Sequence, residues 1–335
     1  MKLIFFLIGL FLLLLRIVYP RLELWHNNRE SGSMITRSDN YIEGIWWSGK
    51  IRLSDDERSI AEISPGGHLK FREQDTILKA ESDLQGKISY TLQNGTEELP
   101  LNDSGRRFIT RQIQKMIGLG FFADHRAERI YQKGGADALL AELSNLHMEG
   151  SRDPYLKLLF QTDTLTAAQR IKLLQLLDSS NNEQEQQHYL GRFPGIRLRD
   201  SGVARAWLQS VGRLRPAFMK KDLLLKYLDT LTRSQEPLPA GQFDTVLALT
   251  ARFGSAQDCK EVYNHLIDMS PATNAQWIGL IRAAGDLQPD YLTSQLLLKI
   301  AQKMPRTDSL VSAYRTSAKK IGNDMDYGKT MRAIE

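Results

Sequence analysis

Residues 106–122 read RRFITRQIQKMIGLGFF, and here the chain changes its period. Phe108, Ile109, Ile113, Met116 and Ile117 recur three and four apart, which places them on one stripe of a helix. Before this stretch, back to residue 41, the pattern alternates instead. KIRL (50–53) puts Ile51 and Leu53 on one face, HLKF (68–71) does so with Leu69 and Phe71, and ISYTL (88–92) with Ile88, Tyr90 and Leu92. After it, to residue 335, the periodicity stays helical. The expected class is therefore α+β: a small antiparallel β domain over 41–103, followed by an all-α domain over 104–335.

Turn residues divide the β part. Ser64-Pro65-Gly66-Gly67 has proline at the second position and glycine at the third, the composition of a type II turn. The glycines lead into HLKFRE, which alternates like a strand, so we read a tight turn rather than a phosphate loop. Asn94-Gly95 predicts a type I′ hairpin, and Pro100 marks the strand after it as an edge. SDDER (54–58) reads as a solvated turn.

In the helical part, Asp124 is placed to cap HRAERIYQK, which stops at Gly134-Gly135. Gly212, Gly254, Gly285 and Gly322 each follow an amphipathic segment, at spacings of 42, 31 and 37 residues. We read them as C′ residues of helix pairs, and the domain as a helical-hairpin array, α-solenoid-like, in which neighbouring pairs must stack to bury their apolar faces. A non-repeating bundle is the competing reading.

The first residues, MKLIFFLIGLFLLLLRIVYPR, hold an unbroken apolar run from Leu3 to Leu15. Arg16 can snorkel, which extends the usable span to Tyr19, and Tyr19 and Trp25 suit a membrane interface. The run is followed by RIVYPR and not by small residues, so residues 1–20 are expected to be an uncleaved signal-anchor. Contact with a lipid bilayer is expected through 3–19, and 21–40 is a polar linker. Lys2 argues for an N-inside orientation, while Arg16, Arg21 and Arg29 argue the reverse. A lysine directly before a leucine-rich run is the usual form of an export signal, so the body is expected on the extracytoplasmic, periplasmic side.

Composition limits the chemistry. A single cysteine, Cys259, excludes an internal disulfide and a cysteine-built zinc site, and in AQDCKEVY it reads as a packing residue. None of the six histidines lies in an H-E-x-x-H pattern, and there is no Walker loop and no G-x-S-x-G elbow. We expect no catalytic, cofactor-binding or metal-binding residues, and no cofactor. One charged stretch stands out. Residues 197–226 carry Arg197, Arg199, Arg205, Arg213, Arg215, Lys220, Lys221 and Lys226 against Asp200 and Asp222, a net +6 where the whole chain has +5. These eight residues are the candidate surface for an anionic partner, and the adjacent Trp46 and Trp47 are a candidate exposed aromatic contact.

Two stretches, ISPGGHLKF (63–71) and GLGFFADHRAERIYQKGGADALLAEL (118–143), with the later DPYLKLLF (153–160) and PDYLTSQLLLKI (289–300), resemble the non-protease C-terminal part of some BlaR-type metallopeptidase-like sensors. That resemblance implies an extracytoplasmic sensing or interaction module in a bacterial envelope, without the protease. The expected function is a non-enzymatic, single-span, membrane-anchored scaffold or sensor that binds a protein or an anionic envelope component. The alternatives are an envelope hydrolase with scattered carboxylates, or a cytoplasm-facing anchor for nucleic acid. The latter is disfavoured because the basic stretch offers only Trp207 and Phe218 for stacking.

Overall fold

The structure, a computed structural model, describes residues 31–38, 41–146, 149–162, 164–193, 198, 200–235 and 238–335. The anchor segment 1–20 and its bilayer contact through 3–19 lie outside the described residues. Among the described residues no helix is long and apolar enough to cross a membrane. Among the described residues the fold is α+β, an antiparallel β region followed by thirteen helices. It divides into two compact units: one runs to Arg129 and takes in Gly150–Arg152, and the other holds Ile130–Glu149 and Asp153–Glu335.

In the first unit, strands β1 (Ser31–Ser38), β2 (Tyr41–Ser48), β5 (His68–Glu73), β6 (Thr76–Ser82), β7 (Ile88–Asn94) and β8 (Glu97–Leu99) form one six-stranded sheet in the order β1-β2-β5-β6-β7-β8. A separate pair joins β3 (Ile51–Leu53) to β4 (Ile60–Ile63). All pairings are antiparallel. Strand β1 falls inside the stretch 21–40 expected to be a linker. Its sequence, SGSMITRS, has no apolar alternation to announce it, and it is held by backbone pairing with β2 along its whole length. The Ser64–Gly67 turn forms as expected, with Gly66 at φ +73° and the Gly67 N–H bonded to the Ser64 carbonyl at 2.8 Å. The Gly66 N–H is used on the Ser82 carbonyl at 3.2 Å, so both glycine amides are engaged within the protein. The second hairpin also forms, one residue later than expected: Asn94 pairs with Glu97, and the two loop residues are Gly95, at φ +61°, and Thr96. Glycine at the first loop position with a residue of negative φ after it is the II′ pattern.

Helix α1 (Asp103–Gly118), capped by the Asn102 side chain, packs Ile109, Ile113, Met116 and Ile117 into one core with Ile45, Leu69, Phe71, Leu78, Ala80 and Leu92. The stripe that marks the change of period is thus the lid of the sheet, and α1 belongs with the β unit. SDDER is more than a solvated turn. Glu57, at φ +56°, accepts from the Arg126 guanidinium at 2.8 and 3.0 Å and pairs with Arg129, while Gln114 and Thr110 bond the neighbouring carbonyls of Glu57 and Arg58.

Helix α2 (Ala123–Leu143) breaks at Gly135, at φ +62°, where the glycine pair was expected to stop it, and α3 (Glu149–Gln161) follows. Among the described residues, five helical hairpins then run to the end of the chain. They are α4 (Ala167–Asp178) with α5 (Glu183–Leu190), α6 (Ser201–Arg213) with α7 (Ala217–Ser234), α8 (Ala240–Thr250) with α9 (Ala256–Asp268), α10 (Asn274–Gly285) with α11 (Asp290–Lys303), and α12 (Asp308–Ala318) with α13 (Asp324–Arg332). First helices begin at 167, 201, 240, 274 and 308, so successive starts lie 34, 39, 34 and 34 residues apart. Each first helix packs on the next first helix (α4, α6, α8, α10, α12), and each second helix on the next second helix (α5, α7, α9, α11, α13). The core between the two layers is apolar with buried aromatics, among them Trp207, Tyr227, Tyr263 and Tyr314. Three of the polar ends are used: the Trp207 indole donates to the Leu190 carbonyl at 2.9 Å, the Tyr227 hydroxyl to Gln242, and the Tyr314 hydroxyl to the Thr330 carbonyl at 3.1 Å.

The glycines have a different role from the one expected. Gly212 and Gly285 lie inside α6 and α10, Gly254 and Gly322 in turns, and none of the four has positive φ. A Cβ at Gly285 would meet the Cβ of Ser317 on α12 at 2.6 Å, and one at Gly212 the Leu249 side chain of α8 at 2.9 Å. Both mark close approaches between first helices of neighbouring hairpins.

Candidate partner-binding face

The basic stretch is distributed by the hairpins rather than gathered into one field. Arg197 and Arg199 lie outside the described residues. Arg213, the last residue of α6, pairs with Asp178, the last residue of α4. Arg215 donates to Glu183 at 3.0 Å through its side chain and at 3.1 Å through its backbone N–H. Lys221 lies 2.8 Å from Asp258 and 3.2 Å from Glu261. Each contact joins one hairpin to the next, and the series continues with His265 to Asp229, Lys299 and Lys303 to Asp268, and Lys320 to Asp286. Three of the eight cations are thus rungs of an inter-hairpin ladder.

The rungs differ electrostatically. Hydrogen bonds to the Asp258 and Glu261 carboxylates hold the Lys221 ammonium above its ordinary pKa. Hydrogen bonds from Arg215 hold Glu183 below the usual carboxylate range. At Asp178 burial dominates and pushes the carboxyl upward, with Ser210 and Arg213 offsetting it in part.

Arg205, Lys220 and Lys226 remain, and among the described residues they make no ion pair. Lys220 and Lys226 lie on α7. Arg205 lies on α6, exposed, and lines a cavity of about 310 Å³ between α6 and α8. Ser201, Leu208 and Gln209 line it from α6, Gly241, Gln242 and Thr245 from α8, and Pro239 from the position just before α8. This is the junction at which the 34-residue spacing lengthens to 39. Buried Gln242 accepts from the Tyr227 hydroxyl, which leaves its amide NH₂ to donate. The Thr245 hydroxyl donates to the Gly241 carbonyl at 2.8 Å and can still accept. The cavity therefore offers one guanidinium, two amide side chains and two hydroxyls over an apolar floor. That set suits a carboxylate-bearing peptide segment, since a guanidinium binds a carboxylate through two parallel bonds.

The tryptophan pair is split by the pleat. Trp47 is on the core face, with its ring across Gly32 of β1 and edge-on to Phe121 at 5.0 Å. Trp46 is on the opposite face, its ring over Gly44, with the Lys70 ammonium 5.1 Å from the ring centroid. Sequence reasoning missed the cavity, because its polar residues come from two helices 39 residues apart and share no motif. Phe218 and Tyr291, which with Tyr327 follow Gly212, Gly285 and Gly322 by five or six residues, are exposed at the second position of α7 and α11, and at that position of α13 the exposed residue is Met325. Among the described residues no group of acids, histidines and cysteine could hold a metal ion. No family model, curated protein or solved structure matches this chain.

Proposed function

We propose that the protein is a non-enzymatic, membrane-anchored scaffold or sensor module whose helical hairpins form an α-solenoid that holds a segment of a partner protein. The observation that carries this reading is the packing of every first helix on the next first helix at a near-constant 34-residue spacing. Stacked repeats of this length present one row of equivalent helices to an extended partner. The cavity between α6 and α8 supplies a docking point for an anionic group on that row, with Arg205 as its charge. The apolar run 3–15 supports anchoring in a bacterial envelope membrane with the body outside the cytoplasm, the setting that the sensor resemblance implies.

The test uses the full chain in cells, with a photo-crosslinking amino acid at Gln209 and, as control, at Lys226 on α7. Discrete adducts from Gln209 that vanish with Arg205→Glu, with none from Lys226, are expected. Adducts indifferent to Arg205→Glu, or none from Gln209, would remove the cavity from the binding face. Carbonate extraction and a reporter fused after residue 335 read the anchor and its orientation separately.

A further inference from the structure

The outward face of the six-stranded sheet carries a lattice of cations that the fold itself does not need. In cross-strand register Trp46 lies opposite Lys70, and Lys70 opposite Lys79, while Gly44 lies opposite Arg72. Like charges directly opposite on one face destabilise a sheet. The local structure offers little relief. Lys70 has the Trp46 ring, Arg72 donates to the Gln74 carbonyl at 2.8 Å, and the Lys79 ammonium has no hydrogen bond or ion pair among the described residues. The acids on this face, Glu81 opposite His68 and Glu98 opposite Gln93, are at its margins. Trp46 is half-buried beside this cluster, with an apolar body and an N–H to present.

From this face we infer a contact with the anionic headgroups of a lipid bilayer, a deepening that rests on the anchor in the proposed function. Charge complementarity is the first reason, since three cations with a tryptophan among them match an anionic interface. The second is reach. The apolar run ends at Leu15 and β1 begins at Ser31, so the fifteen residues between span at most about 50 Å even when fully extended. The strand next to β1 carries Trp46. The run at 3–15 would tether the sheet, and Lys70, Arg72 and Lys79 would lay it on the surface.

The test is quenching of tryptophan emission by brominated phosphatidylcholine vesicles, with and without phosphatidylglycerol, using the full chain. The chain has five tryptophans, so the Trp46 signal is the difference between wild type and Trp46→Phe. Quenching of that difference signal in anionic vesicles is expected, falling at least twofold in neutral vesicles, in high salt and in Lys70→Glu/Lys79→Glu. The milder Lys70→Gln/Lys79→Gln pair serves if the reversal fails to fold. An unquenched Trp46 signal, or quenching indifferent to lipid charge, overturns the inference. An unquenched signal that shifts on adding an oligonucleotide or an anionic glycan overturns it in favour of a soluble polyanion. Carbonate release of the chain from the same vesicles scores the anchor independently, because the quenching is read before extraction.

Discussion

The Glu57 carboxylate holds the Arg126 guanidinium through two hydrogen bonds of 2.8 and 3.0 Å, and Arg126 is buried. Removing one partner of such a buried pair costs about 3–5 kcal/mol. Glu57→Ala should therefore lower the unfolding free energy, read from urea denaturation, by that amount. Arg52, paired with Glu62 at 3.1 Å with both side chains more than half exposed, sets the contrast: Arg52→Ala should cost less than about 1 kcal/mol. Equal losses from the two would show that the loop over 54–58 is not fastened by Glu57.

Gly285 and Gly241 should respond in opposite directions to the same substitution. Both lie in helices, where alanine is the better helix former by up to about 1 kcal/mol. At Gly241 a Cβ meets nothing within 4 Å, so Gly241→Ala should be neutral or stabilising. At Gly285 it would meet the Ser317 Cβ at 2.6 Å and Cα at 3.2 Å, and α10 must move away from α12. Overpacking of this kind costs about 1–3 kcal/mol, so Gly285→Ala should lower the melting temperature. A stabilised Gly285→Ala would mean that the two helices are less closely packed.

What the sequence carries about this fold depends on how local each signal is. Alternation over KIRL and HLKF, the stripe Ile109–Ile113–Met116–Ile117 and the turn at Ser64–Gly67 are set within a few residues, and each forms as read. Strand β1 was illegible because its partner, not its own pattern, makes it a strand. The repeat was partly legible but read from the wrong residues. The glycines serve helix contacts at different phases of the hairpin, so their spacing is irregular. The more regular signal is the residue before four of the five first helices, where Thr166, Asp200, Thr273 and Thr307 share the phase and Thr166 and Thr273 complete capping boxes with Gln169 and Gln276, while Pro239 breaks the series. The basic stretch was visible as a count, but Asp178, Glu183, Asp258 and Glu261, which meet it, are distant in sequence.

That pairing changes what charge reversal should do. Read from the sequence, reversing Arg213, Arg215, Lys220 and Lys221 weakens partner binding and leaves the melting temperature unchanged. In the structure Lys221, 19% exposed, faces two carboxylates, so Lys221→Glu puts three acids together and should cost about 2–3 kcal/mol. Arg215, 86% exposed, should cost less than about 1 kcal/mol when reversed. Arg205→Glu should leave the melting temperature unchanged and be felt only in crosslinking at Gln209. Thermal denaturation of the three single variants separates the ladder from the binding face.

Acid should loosen the protein through a few carboxylates. Burial raises the Glu73 pKa, but hydrogen bonds from Lys115 and Gln112 and the charges of Lys115 and Arg111 outweigh it, so the folded value lies below the ordinary one. Asp153 and Asp268 follow the same balance, burial against Lys157 and Tyr189 in one case and against Lys299 and Lys303 in the other. A carboxyl depressed in the folded state contributes stability above its unfolded pKa and loses it as pH falls through the folded one. Asp178, raised by burial, works in the opposite sense. Stability should therefore be nearly flat from pH 7 to about 5 and fall below about 4, at up to about 1.4 kcal/mol per pH unit for each proton taken up. Asp153 and Asp268 are more than 40% exposed and screened by solvent, so Glu73, 21% exposed, should dominate. Lys115→Met should lower stability at pH 7 and flatten the acid limb, since it removes the hydrogen bond that most depresses Glu73. An acid limb unchanged in Lys115→Met would place the titrating group elsewhere.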